Sequence, residues 1–392
     1  MRLTDEQRLD WLRLIRSEKI GPRTFRALVN RYGGAGPALD ALPDVARPSG
    51  RLMLQVFSRA EAETEMARAA RLGARFVAMG EPEYPKLLQA VDTAPPLIAV
   101  RGSLDVLSRP AVAIVGSRNA SASGLTFTER LSRDLGRAGY VVVSGLARGV
   151  DTRAHRATLP SGTVAVLAGG HESIYPAENE ALAAAIIEGG GAVVSEMPIG
   201  WEPRGRDFPR RNRIVSGLAY GVVVVEAARR SGSLITARFA LDQGREVFAV
   251  PGSPLDPRAE GTNDLIREGA TLCAEASHVI DVLEALVASG PGTGGSVEEP
   301  GRPTWSEALW DELDLPGVEG APHSEMGAFE PEPEGFAGAS AVVDLLGPSP
   351  VSIDDLVRQS GLSIRIVQTS LLELEIAGRL ERHGGNAVSL IN

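Results

Sequence analysis

The sequence has one cysteine, Cys273, five histidines and only two lysines, Lys19 and Lys86, in 392 residues. A lone cysteine forms no internal disulfide, and five scattered histidines are too few for a structural zinc site, so a reducing, cytoplasmic setting is expected. No apolar run of about 18 residues occurs. The start, MRLTDEQRLDWLRLIRSEK, is charged where a signal peptide would be apolar, so neither export nor a membrane span is expected. A P-loop lysine and the G-x-G-x-x-G fingerprint are also missing, which disfavours ATP hydrolysis and NAD binding and leaves no cofactor to expect. What is present is ordinary for a globular chain, 43% hydrophobic and 23% charged. A wholly disordered or collagen-like chain is thereby excluded, and the length suggests two or three domains.

A net charge of −10 first argues against nucleic acid, because a phosphate backbone selects for positive surface. The distribution reverses that inference. Between Pro291 and Ser340 eleven acids face the single base Arg302, a surplus of ten that equals the whole net charge. The remainder is formally neutral. Residues 291–338 are rich in Gly, Pro and Glu and read as a flexible acidic linker. Within it, Trp305, Leu309, Trp310 and Leu313 at helical spacing suggest either a short docking helix or a solvated turn.

Upstream, Thr4 can cap a helix that buries Leu9, Leu12 and Ile15, and Gly21-Pro22 opens a second with Phe25, Leu28 and Val29 inward. Its outward Arg23, Arg26 and Arg31 suit either phosphate contact at a helix N-terminus or a plain helical hairpin. Residues 1–80 are therefore expected to be an all-α domain. Residues 81–290 alternate buried apolar strands (Ala111 to Val115, Tyr140 to Val143, Thr163 to Leu167, Ala192 to Ser195, Gly221 to Val225, Glu246 to Val250) with helices. That pattern predicts an α/β fold, a doubly wound Rossmann-like parallel sheet with its crevice at the carboxyl ends of the strands. Residues 339–392 read as three helices and a hairpin, a winged-helix pattern, with Ser352 and Gly361 bounding the second helix and a turn at Gly384-Gly385. The presumed recognition helix carries only Arg365 as a base, so strong major-groove binding is not expected of it.

Three stretches carry candidate chemistry. Gly116, Ser117 and Arg118 lead from a strand into a helix starting near Ser121, which sets free backbone N–H groups beside a guanidinium and suits a phosphate. In SGLARGVD, Arg148 projects from a Gly-flanked loop, while Asp151 and His155, four apart, match the spacing of an acid/base pair but read rather as a capping carboxylate and a surface histidine, since no serine or cysteine nucleophile is tied to them. Between Arg204 and Arg213 lie Arg204, Arg206, Arg210, Arg211 and Arg213 with Phe208 among them, Asn212 beside them and Trp201 just before. Arginines interleaved with an aromatic suit a single strand, whose unstacked bases can lie on a ring. A further helix N-terminus, Ser231-Gly232-Ser233, offers a second anion nest with Thr236 one turn in.

The ordered motifs VAIVGSR, SGLARGVD, AVLAGGHESIYPAEN, SEMPIGWEP, FPRRNRIVSGLA, VVVVEA, SGSLITARFALDQGREVFAVPG and GTNDLIREGA closely resemble the DNA-processing protein DprA (Smf) family over about residues 80 to 285. The flanks resemble the family's sterile-alpha-motif-like N-terminal domain and its C-terminal winged helix. The resemblance implies a non-enzymatic protein that binds single-stranded DNA, duplex more weakly, protects it in natural transformation and loads RecA recombinase onto it as a homodimer. It implies that Arg118, Arg210, Arg211 and Arg213 line the DNA pocket, and that dimer and RecA contacts fall within about Leu265 to Leu286. Many members have pocket lysines where this chain has arginine, and the acidic linker is longer than the family requires. Two other readings stand beside it. One is a nucleoside-monophosphate phosphoribohydrolase using Glu196 or Glu226, although the PGGxGT signature of those enzymes is absent; the other is a winged-helix transcription regulator with an α/β sensor domain.

Overall fold

The computed structural model describes residues 2–46, 55–289, 341–376, 379–383 and 387–390. The expected acidic linker, its Trp305, Leu309, Trp310 and Leu313, and the hairpin turn at Gly384-Gly385 lie outside the described residues.

Four helices come first: α1 (Asp5–Arg16), α2 (Pro22–Tyr32), α3 (Ala35–Ala46) and α4 (Arg59–Arg71). The first starts where Thr4 and Gln7 form a reciprocal capping box, with bonds of 3.2 and 2.9 Å. Acidic Asp5 and Glu6 in its first turn and Arg13 and Arg16 in its last complement the helix dipole. Gly21 caps α2 with Pro22 in the first helical position, and α2 ends at Gly33, whose φ of +79° suits a residue without a Cβ. The expected Leu9, Leu12, Phe25 and Leu28 are buried, with Trp11 edge-on to Phe25 at 4.9 Å. Two of the arginines of α2 also bond within the protein, while Arg31 is exposed as expected. Arg23 pairs with Asp92 at 2.6 Å and Arg26 donates to the Val91 carbonyl at 3.0 Å, so these side chains fasten the helical unit to the next domain.

That domain is a nine-stranded sheet. Its strands are β1 (Ala74–Ala78), β2 (Leu97–Gly102), β3 (Ala111–Val115), β4 (Val141–Ser144), β5 (Thr163–Val166), β6 (Ala192–Ser195), β7 (Gly221–Val224), β8 (Glu246–Ala249) and β9 (Thr271–Leu272), in spatial order 1-2-6-5-4-3-7-8-9. All pairings from β6 to β9 are parallel, while β1 with β2 and β2 with β6 are antiparallel. The expected parallel core is present, and two antiparallel strands extend it. Residues 74–78, expected within an all-helical domain, therefore belong to the sheet. The reason is tertiary, because Phe76 and Ala78 pack with Leu97 and Ala99 of the neighbouring strand and Leu9 and Leu12 of α1.

The helices of this domain are α5 (Lys86–Gln89, before β2), α6 (Ala122–Arg137), α7 (Val150–Thr158), α8 (Glu180–Glu188), α9 (Asp207–Gly217), α10 (Gly232–Asp242), α11 (Glu260–Arg267) and, after β9, α12 (Ala276–Ser289). Alternation within the strands divides the core. Ala113, Val115 and Val143 join Ile214 and Val215 of α9 and Ala237 of α10 on one face. Val112, Ile114 and Val142 join Leu131 and Leu135 of α6 and Val279 and Leu283 of α12 on the other. Both faces are covered, which is why β3 and β7 read as unbroken apolar runs.

The last unit comprises a helical stretch α13 (341–345), β10 (Val351–Ser352), α14 (Ile353–Ser360), α15 (Ile364–Ile376), β11 (Leu380–His383) and β12 (Ala387–Leu390), its sheet ordered 10-12-11. Ser352 caps α14, accepting from the Asp355 amide at 3.1 Å, and Gly361 ends it at φ +68°. This winged helix sits against the sheet domain. Ala122, at the start of α6, is buried in its core, and Arg153 of α7 reaches Gln359. Arg258 holds the carbonyls of Asp344 and Leu346 at 3.0 and 2.8 Å while pairing with Asp256 at 3.1 Å.

Hydrogen bonds from a charged donor contribute about 1.5–3 kcal/mol each. Arg258→Ala should therefore raise amide exchange across 341–360 while the protection of β3 and β7 stays unchanged. Unaltered exchange at 341–360 would show that Arg258 does not hold this domain.

Candidate nucleic-acid interface

Strand order reverses between β3 and β7, and the loops leaving the carboxyl ends of β3 to β7 converge there, the position where doubly wound folds take ligands. Glycines set how closely these loops approach. A Cβ on Gly116 would lie 2.7 Å from Val150, and Gly149, at φ +71°, runs against the backbone of Ser117 and Arg118. Gly116 thus serves the packing of two loops.

The helix terminus beyond it already has an internal carboxylate against it. Ser121 caps α6, accepting from the Gly124 amide at 3.0 Å, and Glu226 just after β7 accepts from the Ser121 amide at 2.9 Å and from its hydroxyl. A Cβ at Gly124 would run into that carboxylate. One N–H group expected to receive a phosphate, that of Ser121, therefore holds the protein's own anion, and Ser117 and Arg118 are left at the rim. Burial pushes the Glu226 carboxyl up, against the lowering effect of the Ser121 bonds. The Ser231-Gly232-Ser233 turn differs. Ser231 caps α10, accepting from the Ser233 amide at 3.3 Å, Asn212 Nδ2 donates to the Gly232 carbonyl at 3.2 Å, and Gly232 is exposed with open space where a Cβ would stand.

The arginines separate into two groups. Arg213, 1% exposed, gives Nη2 to both oxygens of Glu196 at 2.6 Å. Burial would raise the Glu196 carboxyl, but the charges of Arg213, Arg210 and Arg16 outweigh it and hold the group below its ordinary value. Arg211 is also buried, donating Nη1 to the Val166 carbonyl at 2.6 Å, with its guanidinium where a Cβ on Gly145 would be. Burial lowers it to about 10, against the attraction of Asp151. Arg211 and Arg213, expected to contact DNA, are instead internal struts, because α9 turns those positions toward β5 and β6. Asp151, expected as a helix cap, instead accepts from the loop amides of Gly145 and Ala147 at 3.1 and 3.2 Å, while Gly149 stands at the N-cap of α7 without a side-chain bond. His155, expected at the surface, is fully buried 2.7 Å from the Thr163 hydroxyl, since the inward face of α7 packs on β5.

The second group faces solvent. Arg118 lies over the Phe208 ring at 5.2 Å, and Phe208 meets Tyr175 edge-on at 5.4 Å. Arg204 lies over Trp201 at 4.8 Å, with Trp201 Nε1 and the Arg204 amide both held by Asp207 at 2.9 Å. Arg148 makes a two-pronged pair with Glu178, at 2.7 and 3.0 Å, and Arg210 is 3.6 Å from Glu196. Arg206 and Arg230 are exposed, and among the described residues they and Arg118 have no ion pair. Tyr175 was not legible as a site residue; its only signal is an isolated aromatic before proline in a loop motif. Nor was the Glu226 contact, which joins residues 105 apart.

Two expectations follow. Breaking a buried pair leaves an uncompensated charge and typically costs about 3–5 kcal/mol. Arg213→Met should therefore destabilise the fold strongly in chemical denaturation, and adding Glu196→Leu should recover much of the loss; no recovery would show that the pair is not the cause. Burial also drives His155 and His171 down, to about 3 and about 4. The unfolded chain binds protons on both near pH 6.5 and the folded chain does not, so stability is present above that pH and falls on acidification toward pH 5. A His155→Gln chain should show a shallower decline; an identical one would contradict this.

Residues 75–284 match the family described as DNA recombination-mediator protein A, residues 5–68 the DprA-like N-terminal HHH domain, and residues 328–386 the DprA winged helix domain. Protein Smf of Escherichia coli K12 is 38% identical over 309 residues, covering 78% of this chain and 75% of that protein. DNA processing protein DprA of Streptococcus pneumoniae R6 is 44% identical over 203 residues, 51% of this chain and 71% of that one. The solved structure of DprA from Streptococcus pneumoniae superposes with a TM-score of 0.58 at 34% identity, covering 72% of this chain and 98% of that chain. With its central domain and both flanks matched in order, this chain belongs to the DNA recombination-mediator protein A (DprA) family.

Proposed function

We propose that the crevice rim binds single-stranded DNA, with Arg118, Arg148, Arg210 and the neighbouring Arg204, Arg206 and Arg230 following the backbone and the aromatic group around Phe208 taking an unstacked base. The observation that carries this reading is the guanidinium of Arg118 resting on Phe208 at the open ends of the strands. A charged track beside a ring suits a flexible strand, whereas a duplex keeps its bases stacked and offers only its backbone. Ser117 and the exposed backbone at Ser231, Gly232 and Ser233 supply further polar contacts to phosphate, with Asn212 fixing that turn. Gly116 shapes the loop that presents Arg118.

Family membership supports the wider role: the bound strand is protected and RecA recombinase is loaded onto it by a homodimer, in natural transformation and recombination. The chain acts by binding rather than by turnover. Glu196 and Glu226, the carboxylates that an N-glycosidic cleavage would need, are engaged with Arg213 and Ser121. The winged helix adds little duplex affinity on this reading, since Arg365 is the one base on the exposed start of α15. Among the described residues no helix is long and apolar enough to cross a membrane.

Four to six phosphates neutralised on a single strand give a salt slope of about −3 to −4, or roughly 50- to 300-fold weaker binding from 50 to 200 mM salt. Fluorescence anisotropy with an oligo-dT should show this slope, and Arg118→Ala should flatten it by about 0.7. Salt-independent binding, or an Arg118→Ala chain with the wild-type slope and affinity, would contradict the assignment.

A further inference from the structure

We propose that Tyr175, rather than Phe208, presents the face on which a DNA base stacks, with Phe208 acting as its buttress; this rests on the single-strand reading above. Both rings lie at the same corner, and Tyr175 is the more exposed of the two. Phe208 has the Arg118 guanidinium over its ring at 5.2 Å and meets Tyr175 in a T-shaped contact at 5.4 Å. Tyr175 is 51% exposed, and among the described residues it is the one aromatic side chain that stands open to solvent.

An exposed ring is useful for recognition only if it is held still. The loop that carries Tyr175 is tied down at several points. Gly170 and Glu172 donate backbone bonds of 2.8 and 3.0 Å to the carbonyls of Trp201 and Ile199. Buried Asn179 sends Nδ2 to the Leu146 carbonyl and the Thr152 hydroxyl, both at 2.8 Å, and its own amide returns to the Pro176 carbonyl at 3.0 Å. Glu178 in the same loop holds Arg148. The β4, β5 and β6 loops are thus one framework. The platform is built in advance, and stacking a base on it loses little further freedom.

The corner also explains strand selectivity in chemical terms. A base reaches the Tyr175 face only when it has left its own stack and its partner, which a single strand allows freely and a duplex resists by a few kcal/mol. Arg118 beside it neutralises the adjoining phosphate. Cation and ring therefore read different parts of the same nucleotide, and their contributions can be separated by removing the base and keeping the backbone.

The test uses the full chain and two strands of equal length, oligo-dT and an abasic oligodeoxynucleotide, with wild type, Tyr175→Ala and Tyr175→Phe. Tyr175→Ala should weaken oligo-dT binding about 5- to 150-fold, leave abasic-strand binding and the salt slope unchanged, and narrow the preference for single strand over duplex. Tyr175→Phe, which keeps the ring, should bind like wild type. Equal losses on both strands, or no loss on oligo-dT, would overturn the role of Tyr175 while leaving the single-strand reading intact. Wild-type chain that binds neither strand would overturn that reading itself.

Discussion

A buried carboxylate organises the binding face. Glu196, at the end of β6, is 6% exposed, and its charge is bearable only because Arg213 meets both oxygens and Arg210 and Arg16 lie nearby. Arg213 anchors α9 to the sheet, while Arg16 donates to the Glu196 carbonyl at 3.0 Å and pairs with Glu65 at 3.0 Å, carrying the helical N-terminal unit to the same point. Once α9 is fixed in this way, helical geometry decides the remaining side chains. Arg211 turns into the floor of the crevice, and Phe208 at the start of the helix turns outward.

The same principle accounts for the occupied helix terminus at α6. Doubly wound folds place an N-terminus at the strand-order reversal, and here Glu226 supplies the anion internally. That terminus carries the protein's own carboxylate, and the exposed cations and rings lie at the rim. There the chain arranges two rings and two cations, Phe208 with Arg118 and Trp201 with Arg204. A long polyanion can lie across such a rim, whereas a mononucleotide would need the filled pocket.

The parallel core was readable because β3 and β7 are covered on both faces and so show continuous Val, Ile and Ala runs. The caps at Thr4, Ser352 and Gly361 were equally plain, being local chemistry. Strand β1 was not, because ARFVA has no strong pattern alone and forms through antiparallel pairing with Leu97–Gly102. The arginine-rich segment marked a positive stretch without showing which of its members reach solvent. Arg210, Arg211 and Arg213 are near neighbours in sequence, yet their exposure depends on Glu196, 14 residues from Arg210 and 17 from Arg213, and on the Val166 carbonyl, 45 residues from Arg211. Tyr175 lacked any periodic or charge signal, and its place beside Phe208 exists only in the fold.

The central claim is that the exposed rim, and neither the winged helix nor the internal arginines, contacts the strand. Photocrosslinking with 5-iododeoxyuridine placed along a single-stranded oligonucleotide, mapped by mass spectrometry, tests this most directly. Adducts concentrated at Tyr175, Trp201 and Phe208 are the predicted result. Adducts confined to residues 364–369 of the winged helix, with none at those three rings, would contradict it.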